Sequence, residues 1–289
     1  MHNLRVRRKN LVSKKRVDGQ NILYHYLQKI LLNDDEFSVK LISNLLIDLS
    51  IWLPHNLYAQ LPILLPYVLR DPKCRKNPDT GEDEWGSSDE NGLLRDDNSL
   101  IKGIPKSFEI TSSRISQYNK RKFGNGFVAS HIWREITLNN HMILASRSHM
   151  FNSFVPNLVW LPVQISKFTD REGSIAQKVL QTLSYRIYRE TKLPKIIEDK
   201  WENLPQPEEF RDMEIDLKRI SYFKVTDKWI NKRIFGLKKE IETIISIDEN
   251  KKNQLKKVKC SRYLPRLKQI SKEKRQPLND WLTKYDQIL

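Results

Sequence analysis

Apolar residues recur every three or four positions in several long stretches of the chain, and this spacing predicts amphipathic helices. The pattern covers residues 20–70, where "DDEFSVKLISNLLIDLSIWL" begins with acidic residues and ends just before Pro54. It returns in "GSIAQKVLQTLSYRIYRETKL" (173–193) and in "KWINKRIFGLKKEIETIISI" (228–247). The chain is therefore predicted to be mostly helical.

Two apolar runs are too short for helices and predict β-strands. They are "GFVASHI" (126–132) and "PNLVWLP" (156–162), and the second is followed by "VQISKFTDREG" (163–173), which predicts a short polar helix. A strand–strand–helix unit inside a mostly helical chain predicts the α+β class.

Acidic residues, glycine, proline and serine dominate residues 71–103, which predicts a long surface loop. Asp96 and Asp97 are adjacent there, in "RDDN". A turn with local side-chain-to-backbone hydrogen bonds is the favoured interpretation, and metal binding is the alternative. We expect three regions: 1–105, helical with a basic arm and the acidic loop; 106–192, the strand–strand–helix module; and 193–289, basic and helical.

The charge balance indicates a polyanionic partner. The chain has 289 residues with 51 Lys and Arg against 35 Asp and Glu, a formal net charge of +16, and nucleic acid is the commonest polyanion.

The two cysteines of the chain, Cys74 and Cys260, lack a CxxC partner, which argues against structural zinc and disulfides. No apolar segment reaches the roughly 18 residues of a membrane helix, and no signal-peptide core follows the basic N-terminus. We expect a cytoplasmic protein.

Basic clusters supply the candidate nucleic-acid contacts. Residues 1–16 hold seven Lys or Arg and no acid; either a solvated arm or an arm that orders on the DNA backbone fits this composition. The basic tail from residue 251, with its Tyr and Trp, has the same two interpretations. The candidate contacts are Arg7, Arg8, Lys9, Lys120, Arg121, Lys122, Arg134 and Arg147.

A strand ending in His131, a second strand beginning at Asn157 and a following polar helix resemble the HNH (ββα-metal) nuclease module. The resemblance covers about 50 residues and is nearest to type II restriction endonucleases. It implies an embedded ββα-metal finger in which His131 is the general base that activates water, and Asn157 fixes the loop and orients the base. A structural histidine with a partner in the core is the alternative for His131. His141 and His149, between the two strands, are interpreted as loop residues.

The resemblance also implies a metal ligand nine residues after the asparagine, and this position is Ser166. The residue before the base is Ser130, and hydroxyls are poorer ligands for hard cations than carboxylates. Asp170 lies one turn further along the same helix face. The runs "SHI" and "FTDREG" resemble a branch of the family whose helix ends in F-D-x-G, and this resemblance implies Asp170 as the leading ligand. Asn152 is a weaker candidate. The expected metal is Mg²⁺, for which Mn²⁺ can substitute. Alternatively, Asp170 caps the helix that follows it.

These inferences predict a metal-dependent, sequence-specific DNA endonuclease of the restriction type, which hydrolyses phosphodiester bonds. One module per chain implies a homodimer on double-stranded DNA, because cutting both strands takes two active sites or two visits. Two alternatives stay open: a non-catalytic DNA-binding protein built on a degenerate finger, and an RNA-processing nuclease.

Overall fold

The computed structural model describes residues 36–70, 94–138, 140–169, 172–212, 214–246, 258 and 272–289. Its α-helices are α1 (Glu36–Leu49), α2 (His55–Gln60), α3 (Ser99–Gly103), α4 (Val163–Ser166), α5 (Ile175–Tyr188), α6 (Lys195–Glu198), α7 (Asp227–Ile245) and α8 (Lys272–Asp286). Its strands are β1 (Ile51–Trp52), β2 (Val68–Arg70), β3 (Leu94–Asp96), β4 (Glu109–Thr111), β5 (Phe127–His131), β6 (Glu135–Leu138), β7 (His141–Leu144), β8 (Leu158–Pro162) and β9 (Ser221–Lys224). Short 3₁₀ segments connect several of these elements.

A five-stranded mixed sheet with the order β4-β9-β1-β8-β5 forms the centre of the fold. Strand β1 runs antiparallel to β8 and parallel to β9, while β4 and β5 run antiparallel to their neighbours β9 and β8. Helices surround this sheet, so the predicted α+β class is confirmed. The sheet takes β1 from the predicted region 1–105, β4, β5 and β8 from 106–192, and β9 from 193–289.

The two apolar runs form the predicted strands because the sheet buries them. Leu158 to Leu161 in β8 and both residues of β1 are fully buried, as expected for strands covered on both faces. Helix α5 helps to cover them: the Tyr188 hydroxyl donates to the Leu53 carbonyl at 2.6 Å, and the Ser184 hydroxyl to the Pro156 carbonyl at 2.6 Å.

The helices predicted around 173–193 and 228–247 are confirmed as α5 and α7. Ser174 caps α5 by accepting from the Gln177 amide, and Thr226 caps α7 by accepting from the Trp229 amide. Both caps satisfy an amide that has no partner within the first helical turn.

Residues 20–70 differ from the helical prediction. Helix α1 ends at Leu49, and the strands β1 and β2 and the short helix α2 follow it. Pro54, Pro62 and Pro66 interrupt this apolar region, and proline removes the amide that a continuous helix requires. Residues 20–35 lie outside the described residues.

The "RDDN" stretch is a turn stabilised by its own side chains, as predicted. The Asp96 carboxylate accepts from the Ser99 hydroxyl at 2.8 Å and from the Leu100 amide at 3.0 Å, at the start of α3. Asp97 accepts from the Ser99 amide at 3.0 Å. The surface location was wrong for this part, because both carboxylates are buried. Residues 71–93 of the predicted loop lie outside the described residues.

Helix α8 packs on the segment that leads into β2. The Tyr285 hydroxyl donates to the Ile63 carbonyl and accepts from the Ile63 amide, and the Trp281 indole donates to the Pro66 carbonyl. Across the described ranges, no helix combines the length and apolar character needed to cross a membrane.

Candidate active site

Strands β5 and β8 pair antiparallel with His131 opposite Leu158, and α4 begins directly after β8. The strand–strand–helix order expected from the sequence is therefore present. This pairing brings the end of β5 beside the start of β8, where the Ile132 amide donates to the Asn157 carbonyl at 3.1 Å.

The Asn157 side chain joins the chain segments at this end of the hairpin. Its Oδ1 accepts from the Trp133 amide at 2.8 Å, and its Nδ2 donates to the Phe151 carbonyl at 3.1 Å. The residue is fully buried, so both hydrogen bonds are shielded from solvent. Asn157 thus holds the loops around His131 and makes no hydrogen bond to the ring itself.

The His131 ring is only 7 % exposed, and its Nε2 lies 2.8 Å from the main-chain oxygen of Asn152. A second oxygen, Asn152 Oδ1, lies 3.2 Å from the same nitrogen. A carbonyl oxygen can only accept, so Nε2 carries the proton and the neutral ring keeps its lone pair on Nδ1. Within the described part of the chain, no group forms a hydrogen bond with Nδ1.

Burial lowers the pKa of His131 to about 4, and the nearby positive charge of Arg70 lowers it further, while the hydrogen bonds to Asn152 act in the opposite direction. The imidazole is therefore neutral at pH 7, which is the form that can accept a proton.

His131 lines a cleft of about 300 Å³ between β5 and the α4 segment. Three cationic side chains share this cleft, and they come from different parts of the chain: Arg70 ends β2, Arg134 follows β5, and Lys167 follows α4. The remaining lining residues are Val128, Ala129, Ser130, Val163, Ser166 and Thr169. A cleft with three cations and a neutral imidazole suits a phosphate group.

Asn152 connects β2 to this cleft. Its Nδ2 donates to the Val68 carbonyl at 3.1 Å, while its main-chain oxygen accepts from His131. The side chain is 1 % exposed. Asn152 therefore holds the strand that carries Arg70 beside the histidine.

The described lining residues do not fit a Mg²⁺ site by themselves. The ten residues include no carboxylate. The Ser166 hydroxyl donates to the Val163 carbonyl, and the Thr169 hydroxyl donates to the Ser166 carbonyl. No group of three or more His, Cys, Asp or Glu suited to a metal ion occurs in the part of the chain that the structure describes.

Asp170, the leading ligand in the sequence interpretation, lies outside the described residues. Its alternative role as the cap of the next helix was wrong, because Ser174 occupies that position. The carboxylate of Asp96 is engaged in the turn before α3.

The predicted basic contacts divide into three groups. Arg134 lines the cleft. Lys120, Arg121 and Lys122 are exposed on a segment that bridges to β4, and Arg147 is exposed after β7. Arg7, Arg8 and Lys9 lie outside the described residues.

The sequence interpretation missed Arg70 and Lys167. Arg70 ends the buried run "YVL", and a cation that ends an apolar strand was the available signal. Its proximity to His131, 61 positions later, depends on tertiary packing.

Comparison with protein-family models, with curated proteins and with solved structures finds no match to this chain.

Proposed function

We propose that the chain is a sequence-specific DNA endonuclease of the restriction type that hydrolyses phosphodiester bonds with His131 as general base. One observation carries this proposal: a neutral histidine, held through Nε2 by a main-chain carbonyl, lines a cleft with three cationic side chains. A phosphodiester is an anion, and its hydrolysis needs a proton acceptor for water next to groups that neutralise negative charge.

The proposed reaction uses these groups in order. The phosphodiester occupies the cleft, where the positive charges of Arg70, Arg134 and Lys167 attract its oxygens. His131 accepts a proton from a water molecule at Nδ1 as that oxygen forms a bond to phosphorus. The bond from phosphorus to the leaving deoxyribose oxygen breaks, and the leaving oxygen takes a proton from solvent.

The low pKa of His131 limits what the ring can do alone, because a base with a pKa of about 4 accepts a proton from ordinary water weakly. The expected Mg²⁺ would supply further charge neutralisation when bound. The described lining residues do not fit this ion by themselves, so the steps above use only the side chains of the chain.

The homodimer belongs to the same proposal. Each chain supplies one His131, and a double-strand cut takes two such residues or two visits. Sedimentation with a short palindromic duplex distinguishes two chains per duplex from one.

A second function is favoured by a different observation. The lining residues that the structure describes include cations but no carboxylate, and His131 is buried with a hydrogen-bond partner. This composition also suits a protein that binds DNA without cutting it, the alternative in which the finger is degenerate.

The deciding experiment compares the wild type, His131→Ala and the control His55→Ala on phage DNA with Mg²⁺, with EDTA, and on a parallel RNA substrate. His55 is exposed and hydrogen-bonds to Thr191. We expect discrete DNA fragments from the wild type and from His55→Ala. We expect a rate lower by a factor of about 10² to 10⁴ from His131→Ala, with DNA binding retained.

The other outcomes separate the alternatives. DNA that all three proteins bind but leave intact supports the binding protein, smeared DNA supports a nonspecific nuclease, and preferential RNA cleavage supports an RNA-processing nuclease. If His131→Ala fails to fold, as judged by its thermal transition, the result supports the alternative of a structural histidine.

A further inference from the structure

Strands β6 and β7 form a two-stranded hairpin between β5 and β8, separate from the central sheet. Ile136 pairs with Ile143 on its inner face, where Ile136 is buried and Ile143 packs against the core. This pair anchors the hairpin, because adjacent strands bring paired side chains to the same face.

The outer face of the hairpin is exposed. Thr137 pairs with Met142, and Glu135 pairs with Leu144, as alternation along the strands requires. Met142 is 72 % exposed, an unusual degree for a large apolar side chain on a strand. At the turn, Asn140 adopts a left-handed conformation with φ 63° and the neighbouring His141 is exposed.

The base of this hairpin is part of the cleft. Arg134, which lines the cleft, immediately precedes β6, and its carbonyl accepts from the Ala145 amide at 2.7 Å just after β7. Arg147 is exposed two residues further on. The hairpin therefore begins and ends beside the wall of the cleft, and an arginine lies next to each of its strands.

We propose that the β6–β7 hairpin is the specificity-determining element, and that its outer face enters a groove of the duplex whose phosphate occupies the cleft. This inference rests on the proposed function. The major groove is about 12 Å wide and admits a two-stranded ribbon. The methyl groups of Thr137 and Met142 suit the thymine methyl group, and Glu135 can accept from the cytosine amino group.

The turn of the hairpin and its end beside the cleft complete this arrangement. Asn140 and His141 have side chains that both donate and accept, as contacts to base edges require. Arg134 and Arg147 supply the phosphate contacts that set position without reading sequence.

Duplex DNA is favoured over a second copy of the chain as the occupant of this face. The chain carries a net charge of +16, so it attracts a polyanion. Arg134 lines the cleft and directly precedes β6. A duplex whose phosphate occupies the cleft therefore passes close to the hairpin.

The test places the photocrosslinker p-benzoyl-phenylalanine at position 142 or, as the control, at position 37. Phe37 in α1 is 70 % exposed, which matches Met142. With a radiolabelled random-sequence duplex, we expect at least tenfold more protein–DNA adduct from position 142. Equal yields from the two positions overturn the proposal, as does a protein–protein adduct from position 142 without a DNA adduct.

A second measurement selects bound duplexes from a randomised pool with the wild type and with the double variant Thr137→Ala, Met142→Ala. We expect the variant to lose roughly tenfold discrimination at one or two adjacent base pairs, while its affinity for nonspecific duplex changes less than about threefold. An unchanged sequence preference overturns the proposal.

Both measurements use binding and not cleavage. A protein that binds and crosslinks through position 142 but never cuts DNA therefore refutes the nuclease and retains the hairpin inference. A nuclease whose position 142 does not crosslink refutes only the hairpin inference. A wild type that does not bind duplex DNA refutes both.

Discussion

The main-chain oxygen of Asn152 lies 2.8 Å from Nε2 of His131, so the backbone, and not only a side chain, fixes which ring nitrogen carries the proton. A carbonyl oxygen beside one ring nitrogen fixes the proton on that nitrogen and leaves the other as the acceptor. Any substitution at position 152 that keeps the local backbone also keeps this oxygen.

Asn152→Ala is therefore expected to retain cleavage within about tenfold of the wild type. Its free energy of unfolding should fall by about 1–3 kcal/mol, because the buried Val68 carbonyl loses its donor. Single-turnover cleavage and urea denaturation measure the two effects. A loss of cleavage beyond a hundredfold that excess Mg²⁺ reverses would instead identify Asn152 as a metal ligand.

The pH dependence of cleavage should show the low pKa of His131. The neutral ring is the active form and burial lowers its pKa to about 4, so the acid limb of kcat/KM should have its midpoint near pH 4 and not near 6.5. Arg70→Met should move this limb to higher pH, because the charge of Arg70 lowers the same pKa. The exposed Lys192→Met is the control, and an acid limb near pH 6.5 in the wild type contradicts the assignment.

Stability should fall with acidification between about pH 6.5 and 4. Burial lowers the pKa values of both His131 and His149 to about 4, whereas an unfolded histidine titrates near 6.5. The unfolded state binds more protons in this window, so stability is fully present above it and decreases as the pH falls. Each histidine contributes a slope of about 1.4 kcal/mol per pH unit at most.

Urea denaturation at pH 7, 6 and 5 measures that slope. His149→Gln should reduce this slope by the contribution of one titrating histidine. His55→Gln, at an exposed position, serves as the control. A slope that is the same in His149→Gln and in the wild type shows that His149 is not the cause.

Asn157→Ala should destabilise the fold by about 2–4 kcal/mol, because the Trp133 amide and the Phe151 carbonyl lose their buried partner. The exposed Asn119→Ala should change stability by less than about 0.5 kcal/mol. Urea denaturation compares the two variants. Similar stabilities would mean that water replaces the Asn157 side chain.

The metal prediction concerns Asp170. If this carboxylate binds Mg²⁺, Asp170→Asn should abolish cleavage at ordinary Mg²⁺ concentrations, with partial rescue by Mn²⁺. EDTA should abolish wild-type cleavage reversibly. Full activity of Asp170→Asn would exclude this ligand, and full activity in EDTA would exclude the metal requirement.

The local elements could be predicted from the sequence because local spacing determines them. Neighbours along the chain determine three of these features. They are the apolar spacing of three or four residues in α5 and α7, the short apolar runs of β5 and β8, and the turn formed by "RDDN". The position of His131 at the end of a strand followed from the same pattern.

The strands within residues 51–70 could not be distinguished from helices by the spacing of apolar residues. An apolar run that is buried on all sides has no polar face and thus no period to distinguish the two. The pairing of β1 with β8 and β9 depends on residues more than 100 positions away.

The sequence by itself determined the α+β class, the basic character of the chain and the order strand, strand, helix around His131. Only the tertiary structure decided that Asn152 is the partner of the histidine, that the Asp96 carboxylate is buried, and that Arg70 and Lys167 share the cleft. The physical reason is that a local pattern records which face of an element is buried, whereas the identity of a contact depends on how distant segments pack together.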